Sequence, residues 1–308
     1  MTLFPAAGFI GLGTMGQPMA LNLCKAGVPL AVFNRTAARA GPLAEAGARV
    51  VETPAEVVRQ SQVVFLNLAD DAALDAVLFG AEGVLAGVAP GCVVVDMGTT
   101  SITATRRFAE ALVQRGATWV DAPVSGGEAG ARAGTLSIMV GAPQEIFEYL
   151  LPLFQALGQN IVHVGETGAG QVAKACNQIL VSATLMGVAE AFTFARREGV
   201  DPARVRQALL GGFAYSRILE VHGQRMLDNS FVPGFKARLH LKDLDLVADQ
   251  AGRQGLSLEV AEAARQCMAA LVARGAGELD SSALIHVVHA MSLKDETMAP
   301  LGSSLESQ

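Results

Sequence analysis

The feature that most constrains this chain is the hexapeptide Gly11-Leu12-Gly13-Thr14-Met15-Gly16. It follows the apolar run Gly8–Ile10 and opens an apolar stretch of helical character, Met15–Ala26. Alone, a GxGxxG string says little in a chain with 33 glycines. Strand, turn and helix in that order are what a dinucleotide-binding turn requires. Gly11 permits the tight turn, Gly13 lets the backbone approach a pyrophosphate, and Gly16 lets helix and strand pack closely. The helix N-terminus then offers N–H groups to the anion. The plainer alternative is a glycine-rich turn that only reverses the chain.

The next apolar runs fit the same architecture. Leu30–Phe33, Val63–Leu68, Cys92–Val95, Thr118–Asp121, Leu136–Val140 and Ile161–Val164 read as strands. Most are continuously apolar, as expected of a parallel sheet buried on both faces. Between them, Ala37–Ala46, Thr103–Arg115 and Gln144–Leu157 read as helices, and this alternation predicts an open, doubly wound α/β sheet. After Gly165 the strand signal stops. Gln171–Arg197, Asp201–Gly211, Ser216–Leu227, Ala237–Gln254, Leu258–Arg274 and a segment from Ser281 read as helices, and the tail after Ser292 reads as poorly ordered. The expected division is a cofactor domain over 1–164 and an all-helical domain over 165–308.

Composition narrows the function classes. Of 308 residues, 51% are hydrophobic and 17% charged, so a large core is easily built. The net charge of -6 carries no block of like charge, which argues against a nucleic-acid or polybasic membrane surface. The neutral start before Lys25 lacks a basic segment and is broken by glycines and prolines, unlike a signal peptide. The uncharged stretch Ala175–Ala189 is too short to span a bilayer. A cytoplasmic protein is expected. Cys24, Cys92, Cys176 and Cys267 form no CxxC pair and read as buried free thiols, and His286 and His289 lack further ligands, so no metal is expected.

Several polar groups stand out. The second apolar run ends at Asn34-Arg35-Thr36, where an acid would bind the adenine-ribose diol of NAD. No acid is there. Arg35 can pair with a 2′-phosphate and Asn34 and Thr36 can donate to it, which favours NADP(H) and leaves NAD(H) possible. Arg35 stacked on adenine would tolerate both. Lys174 is the one charge between Glu166 and Glu190. A buried lysine tends toward a lowered pKa and makes a good proton donor or acceptor. A packed stem whose head reaches water fits the composition equally well. Asn177 lies three residues on, and so on the same helical face, where it can orient an amine or a substrate oxygen.

Ser125-Gly126-Gly127, after a strand, offers a hydroxyl and approachable backbone N–H groups to a small carboxylate, or merely turns the chain. Phe235, Leu239 and Asp243 are four apart, with Lys242 beside Asp243. They either line a cleft or form a solvated surface, and spacing alone favours the surface. Asp96-Met97-Gly98-Thr99-Thr100 ends a strand, where ligands collect in open α/β sheets.

Taken together, GFIGLGTMG, DAPVSGGEAGARAGTLSIMVG, GAGQVAKACN and PGFKARLHLKDLDL, in this order, resemble the β-hydroxyacid dehydrogenase (3-hydroxyisobutyrate dehydrogenase-like) family from Gly8 to about His289. The resemblance implies a Rossmann-type domain, a long interdomain helix and an all-helical domain for substrate binding and oligomerisation, with dimers or tetramers usual. It implies that Lys174 is catalytic, that Ser125, Gly126 and Gly127 bind the substrate carboxylate, and that Asn177 orients the substrate. Leu12, Thr14, Met15 and Leu68 are implied in cofactor binding, and Thr99 at the nicotinamide end. Phe235, Lys242 and Asp243 match the segment that closes over cofactor and substrate, with Lys242 toward the cofactor. The implied activity is NAD(P)-dependent interconversion of a short 3-oxo acid, a semialdehyde, and a 3-hydroxy acid.

Within the family, Asp121–Gly141 and GGFAYSRIL (Gly211–Leu219) are most similar to the branch acting on tartronate semialdehyde. Methylmalonate semialdehyde, succinic semialdehyde and glyoxylate are the alternatives. Asn34-Arg35-Thr36 departs from NAD-preferring members, which carry an aspartate there, and the tail after Ser292 has no counterpart. A 6-phosphogluconate dehydrogenase would carry a histidine where Cys176 stands. Non-catalytic scaffolds and imine reductases built on this fold typically lack the lysine.

Overall fold

The computed structural model describes residues 4–292, and the tail after Ser292 lies outside them. These residues form two compact units, the chain passing from one to the other between Lys174 and Ala175.

The first unit is built on a nine-stranded sheet. Its strands are β1 (Ala7–Ile10), β2 (Leu30–Phe33), β3 (Arg49–Val50), β4 (Val63–Leu66), β5 (Val93–Asp96), β6 (Thr118–Asp121), β7 (Val124–Ser125), β8 (Leu136–Gly141) and β9 (Gly158–Gly165). Six parallel strands lie in the order β3-β2-β1-β4-β5-β6, the order of a dinucleotide-binding sheet. β8 runs antiparallel to β6 and β7 and parallel to β9.

Alternation along each strand explains the continuous apolar runs. Phe9, Phe65, Val93 and Val95 enter one core, and Ile10, Val64, Leu66 and Val94 enter the other. Both faces of the central strands β1, β4 and β5 are covered, and every residue of these three strands is buried. The strands β3 and β7 are additions to the expected set. Each is two residues long, too short to carry a periodicity that distinguishes it from a turn.

The strand order reverses between β1 and β4. The C-terminal ends of β1, β4, β5 and β6 therefore open onto one edge of the sheet, where ligands bind in such folds. The segments at and just after those four ends carry Gly11–Gly16, Leu68, Thr99 and Asp121–Gly127.

A helix of 29 residues, Ala169–Arg197, begins in the first unit and continues in the second. By length and composition it could cross a membrane. Its buried residues Leu185, Val188, Ala189 and Phe192 instead sit in the core of the second unit. The helix is not buried all round: Leu180 and Phe194 are each 68% exposed. The second unit is helical, with Pro202–Leu209, Arg217–Leu227, Ala237–Gln254, Glu259–Leu271 and Ile285–Ser292. Ser216 and Asp201 cap their helices by accepting amide hydrogen bonds.

All four cysteines are free. Cys92 and Cys267 are buried, and burial pushes each thiol up to about 11. Cys24 is partly buried and Cys176 is exposed, so the expectation of uniformly buried thiols fails at Cys176.

Candidate active site

The glycine turn is shaped at Gly11 and Gly16 by contacts that leave no room for a side chain. Gly11 has φ +98°, and a Cβ there would overlap the Asn67 carbonyl oxygen and Leu68 at the end of β4. A Cβ on Gly16 would overlap the Gly11 carbonyl. Around Gly13 the space is open, and the nearest atom to a Cβ would be an Arg39 guanidinium nitrogen at 3.8 Å. No side chain caps the helix Gly16–Lys25, and no acid stands in its first turn. This is a cradle suited to a pyrophosphate: approachable backbone, a helix N-terminus and nearby cations. Thr14 is exposed and Met15 partly so, at the rim of the turn.

At the end of β2, Asn34 has a second task. Its Oδ1 accepts from the Leu12 amide at 2.8 Å, and its Nδ2 donates to the Thr36 carbonyl at 2.9 Å. It ties the glycine turn to the β2 loop. Arg35 and Thr36 are exposed beside it. Arg39, which sequence reasoning passed over, joins Arg35 as a second exposed cation, and its carbonyl accepts from Gln17 Nε2. Its only sequence signal was a position four residues after Arg35.

Lys174 is 7% exposed, and its Nζ donates to the Val124 carbonyl at 2.9 Å. Val124 immediately precedes Ser125, so the ammonium is held beside the Ser125-Gly126-Gly127 segment. Gly126 and Gly127 have φ of +130° and +62°, conformations that favour glycine. Ser125 ends β7, and a helix begins at Gly127, so this segment is more ordered than a simple loop.

The long helix is fixed to the sheet at its first turn. Asp121, at the end of β6, accepts from the backbone amides of Gly168 at 2.6 Å and Gln171 at 2.8 Å. Burial raises the pKa of the Asp121 carboxyl, against the opposing effect of these amides. Gln171, 2% exposed, donates through Nε2 to the Gly98 carbonyl at 3.0 Å and accepts at Oε1 from the Thr100 amide at 3.2 Å. These bonds place the start of the helix in the first unit, beyond the glycine-marked change at Gly165. Thr99, half-buried, lies in the loop that Gln171 holds.

In the second unit, Asn177 donates to Gln178 Oε1 at 2.7 Å, and Gln178 donates to Asp243 Oδ2 at 2.7 Å. Lys242 Nζ pairs with Asp243 Oδ1 at 3.0 Å. Asp243 is 3% exposed, so the solvated Lys-Asp surface favoured by spacing is corrected: the carboxylate is an internal connector. Phe235 lies outside the helix that carries Leu239 and Asp243. The helix starts at Ala237, and Phe235 precedes it, its ring 5.3 Å from that of His240.

The Phe231–Lys236 segment is held by Asp280, a fully buried acid that sequence reasoning missed. Its carboxylate accepts from the Gly234 and Phe235 amides and from Arg225 at 2.9, 3.1 and 2.6 Å. Ser282 Oγ donates to it at 2.6 Å, and His222 Nδ1 lies 3.3 Å away. Burial alone would raise this carboxyl. The bonds from His222 and Ser282 outweigh it and hold the group well below the usual carboxylate range.

Comparison with known proteins adds a second line. Residues 6–165 match the family model described as the NAD binding domain of 6-phosphogluconate dehydrogenase. Residues 168–288 match the one described as the NAD-binding of NADP-dependent 3-hydroxyisobutyrate dehydrogenase. The 2-hydroxy-3-oxopropionate reductase of Escherichia coli is 46% identical over 92% of this chain and 97% of its own length. The solved 3-hydroxyisobutyrate dehydrogenase of Mycobacterium tuberculosis, with L-serine, has TM-score 0.85 and 29% identity, covering 95% of this chain and all of that one. Psf3, solved with NADP+ and 2-OPP, has TM-score 0.84 and 27% identity over 92% of this chain and all of its own.

Proposed function

The chain belongs to the β-hydroxyacid dehydrogenase family, of which 3-hydroxyisobutyrate dehydrogenase is a member, and from that premise we propose that it reduces tartronate semialdehyde (2-hydroxy-3-oxopropionate) with NADPH in preference to NADH. The family makes it an NAD(P)-dependent oxidoreductase acting on CH–OH groups. The identity to the reductase from Escherichia coli supports the substrate, and the exposed Arg35 with no acid beside it supports NADPH. A second reading, oxidation of 3-hydroxyisobutyrate, is favoured by the solved relative that bears that name.

The observation that carries the mechanism is the buried ammonium of Lys174, bonded to the carbonyl that precedes Ser125. The Ser125 hydroxyl and the backbone N–H groups of Gly126 and Gly127 receive the substrate carboxylate. An ammonium has three donors, so Lys174 can keep Val124 while it serves the substrate carbonyl oxygen. In reduction it stabilises the developing alkoxide and gives it a proton; in oxidation the amine takes the hydroxyl proton. A nicotinamide, when bound, would supply or accept the hydride. Gly11–Gly16, Asn34, Arg35, Thr36, Leu68 and Thr99 would hold the cofactor, with Lys242 added by the family resemblance. Asn177, Phe235 and Asp243 serve the substrate on the same ground.

The first 164 residues act as cofactor domain and 165–308 as substrate and oligomerisation domain. The enzyme works in the cytoplasm as a homodimer or homotetramer, a reading supported by the bare apolar side chains Leu180 and Phe194 on the long helix.

The test is a kinetic panel of tartronate, methylmalonate and succinic semialdehydes and glyoxylate with both cofactors. The expected result is the highest kcat/KM for tartronate semialdehyde with NADPH. Equal turnover of acetaldehyde or propionaldehyde would show that no carboxylate site exists.

A further inference from the structure

We propose that Gln171 is a positioning residue for the reaction: it fixes the loop that carries Thr99 to the helical turn that carries Lys174. The proposal rests on the reading of Lys174 as proton donor and of the Thr99 loop as the nicotinamide end. Its own support is geometric. Both ends of the Gln171 amide are committed to the loop after β5: Nε2 donates to Gly98 O at 3.0 Å and reaches Asp96 Oδ2 at 3.5 Å, while Oε1 accepts from the Thr100 amide at 3.2 Å. Asp96, fully buried, in turn accepts from the Gly98 amide at 2.9 Å and the Thr100 hydroxyl at 2.5 Å. The loop is therefore closed on itself by Asp96 and latched to the helix by Gln171.

The backbone amide of Gln171 is anchored as well, to Asp121 on β6. One helical turn further on, Lys174 reaches back to Val124. The opening of the helix thus acts as a beam with fixed points on the Thr99 loop, on β6 and on the carboxylate segment. Hydride and proton must reach neighbouring atoms of one substrate, so the spacing of these fixed points sets the reaction geometry. The amide is the group suited to this place. It offers a donor and an acceptor on a two-methylene stem in a dry site, where an unmatched polar group is costly. Ionised glutamate would bring only acceptors against the Asp96 carboxylate.

Two variants test this. Gln171→Met keeps length and volume and removes both bonds. It should stay folded and bind NADPH within about threefold of wild type, while single-turnover reduction with prebound NADPH falls by at least roughly tenfold, inside the 10²-fold that a 1 Å misplacement can cost. A purely structural glutamine predicts the reverse: a lower Tm or weaker NADPH binding, with the rate unchanged in folded protein. That result overturns the proposal.

Gln171→Glu has a signature of its own and also serves if the Met variant does not fold. When protonated, its acid supplies the missing donor, so its rate relative to wild type should rise as pH falls from about 8 toward about 5.5. Asp96, Asp121, Lys174 and, beside Gly168, Arg106 lie around this site in both proteins, so the ratio reports the new acid together with its coupling to Asp96. A flat ratio overturns the proposal. A normal rate for Lys174→Ala would instead sink the underlying mechanism, which separates the two failures.

Discussion

Two of the segments that carry proposed ligand-binding residues are held by opposite means. The Gly11–Gly16 turn of the sheet unit is shaped by missing side chains: Gly11 and Gly16 lie so close to neighbouring backbone that a Cβ would overlap it. The Phe231–Lys236 segment of the helical unit is held by one side chain that is present, the buried Asp280. The first device is local and leaves a string in the sequence. The second spans separations of 45 to 58 residues and leaves none. A site made of backbone can be read from composition and spacing, whereas a site made of one carboxylate gathering distant donors becomes visible only in three dimensions.

Breaking the carboxylate hub should have the largest effect on stability. Asp280→Ala strands the partly exposed Arg225 and two part-buried amides, and should cost about 3–5 kcal/mol through the several charge-assisted bonds lost together. Urea unfolding followed by circular dichroism measures it. The hub also has a pH signature. The folded Asp280 carboxyl titrates below its ordinary value of 3.8, so its stabilisation is fully present above that value and is lost as pH falls through and below it. Asp121 has the opposite sign: its raised pKa costs the fold stability at neutral pH, and that cost is relieved on acidification. Asp280→Asn should therefore flatten the acid limb of the stability curve. An unchanged limb would assign acid unfolding to other carboxylates.

The glycine turn should fail in a different currency. Gly16→Ala drives a methyl group into the Gly11 carbonyl, an overpacking that costs about 1–3 kcal/mol and shifts the turn. NADPH affinity, measured by fluorescence titration, should fall far more than unfolding stability. Stability lost with affinity intact would show that the turn shapes the fold and not the cofactor site.

A smaller and more selective loss is expected at the rim. Arg35→Ala removes a charged partner for a 2′-phosphate and should cost about 1.5–3 kcal/mol in kcat/KM with NADPH while sparing NADH. Equal losses with both cofactors would mean that Arg35 stacks on adenine. Arg39 lies near the same turn, so Arg35→Ala with Arg39→Ala measures how far the two cations share the task.

The same contrast explains what was legible beforehand. The parallel sheet announced itself because strands buried on both faces are continuously apolar, and the change to helices was marked at Gly165. Ala237–Gln254 was readable to its ends, because its apolar residues keep one face and a left-handed Gly255 stops it. Phe235 lies before that helix, and its four-residue spacing to Leu239 did not reveal that it stands on the segment Asp280 holds. Gln171 and Gln178 were hidden for another reason. Uncharged polar residues in an apolar helix give no periodic signal, and their partners, Gly98 and Thr100 for one and Asp243 for the other, are 65 to 73 residues away. Lys174 was visible because a lone charge in such a helix needs an explanation, although burial and the bond to Val124 had to be seen.

The central claim is that this buried ammonium does chemistry. Lys174→Ala should fold, since removing a buried cation relieves a desolvation cost. It should bind NADPH, since the glycine turn is untouched. Single-turnover reduction of tartronate semialdehyde with prebound NADPH should then slow by at least about 10²-fold, as is typical for loss of a general acid. Rates that agree within a few-fold between folded wild type and folded Lys174→Ala would make Lys174 a packing residue and contradict the account.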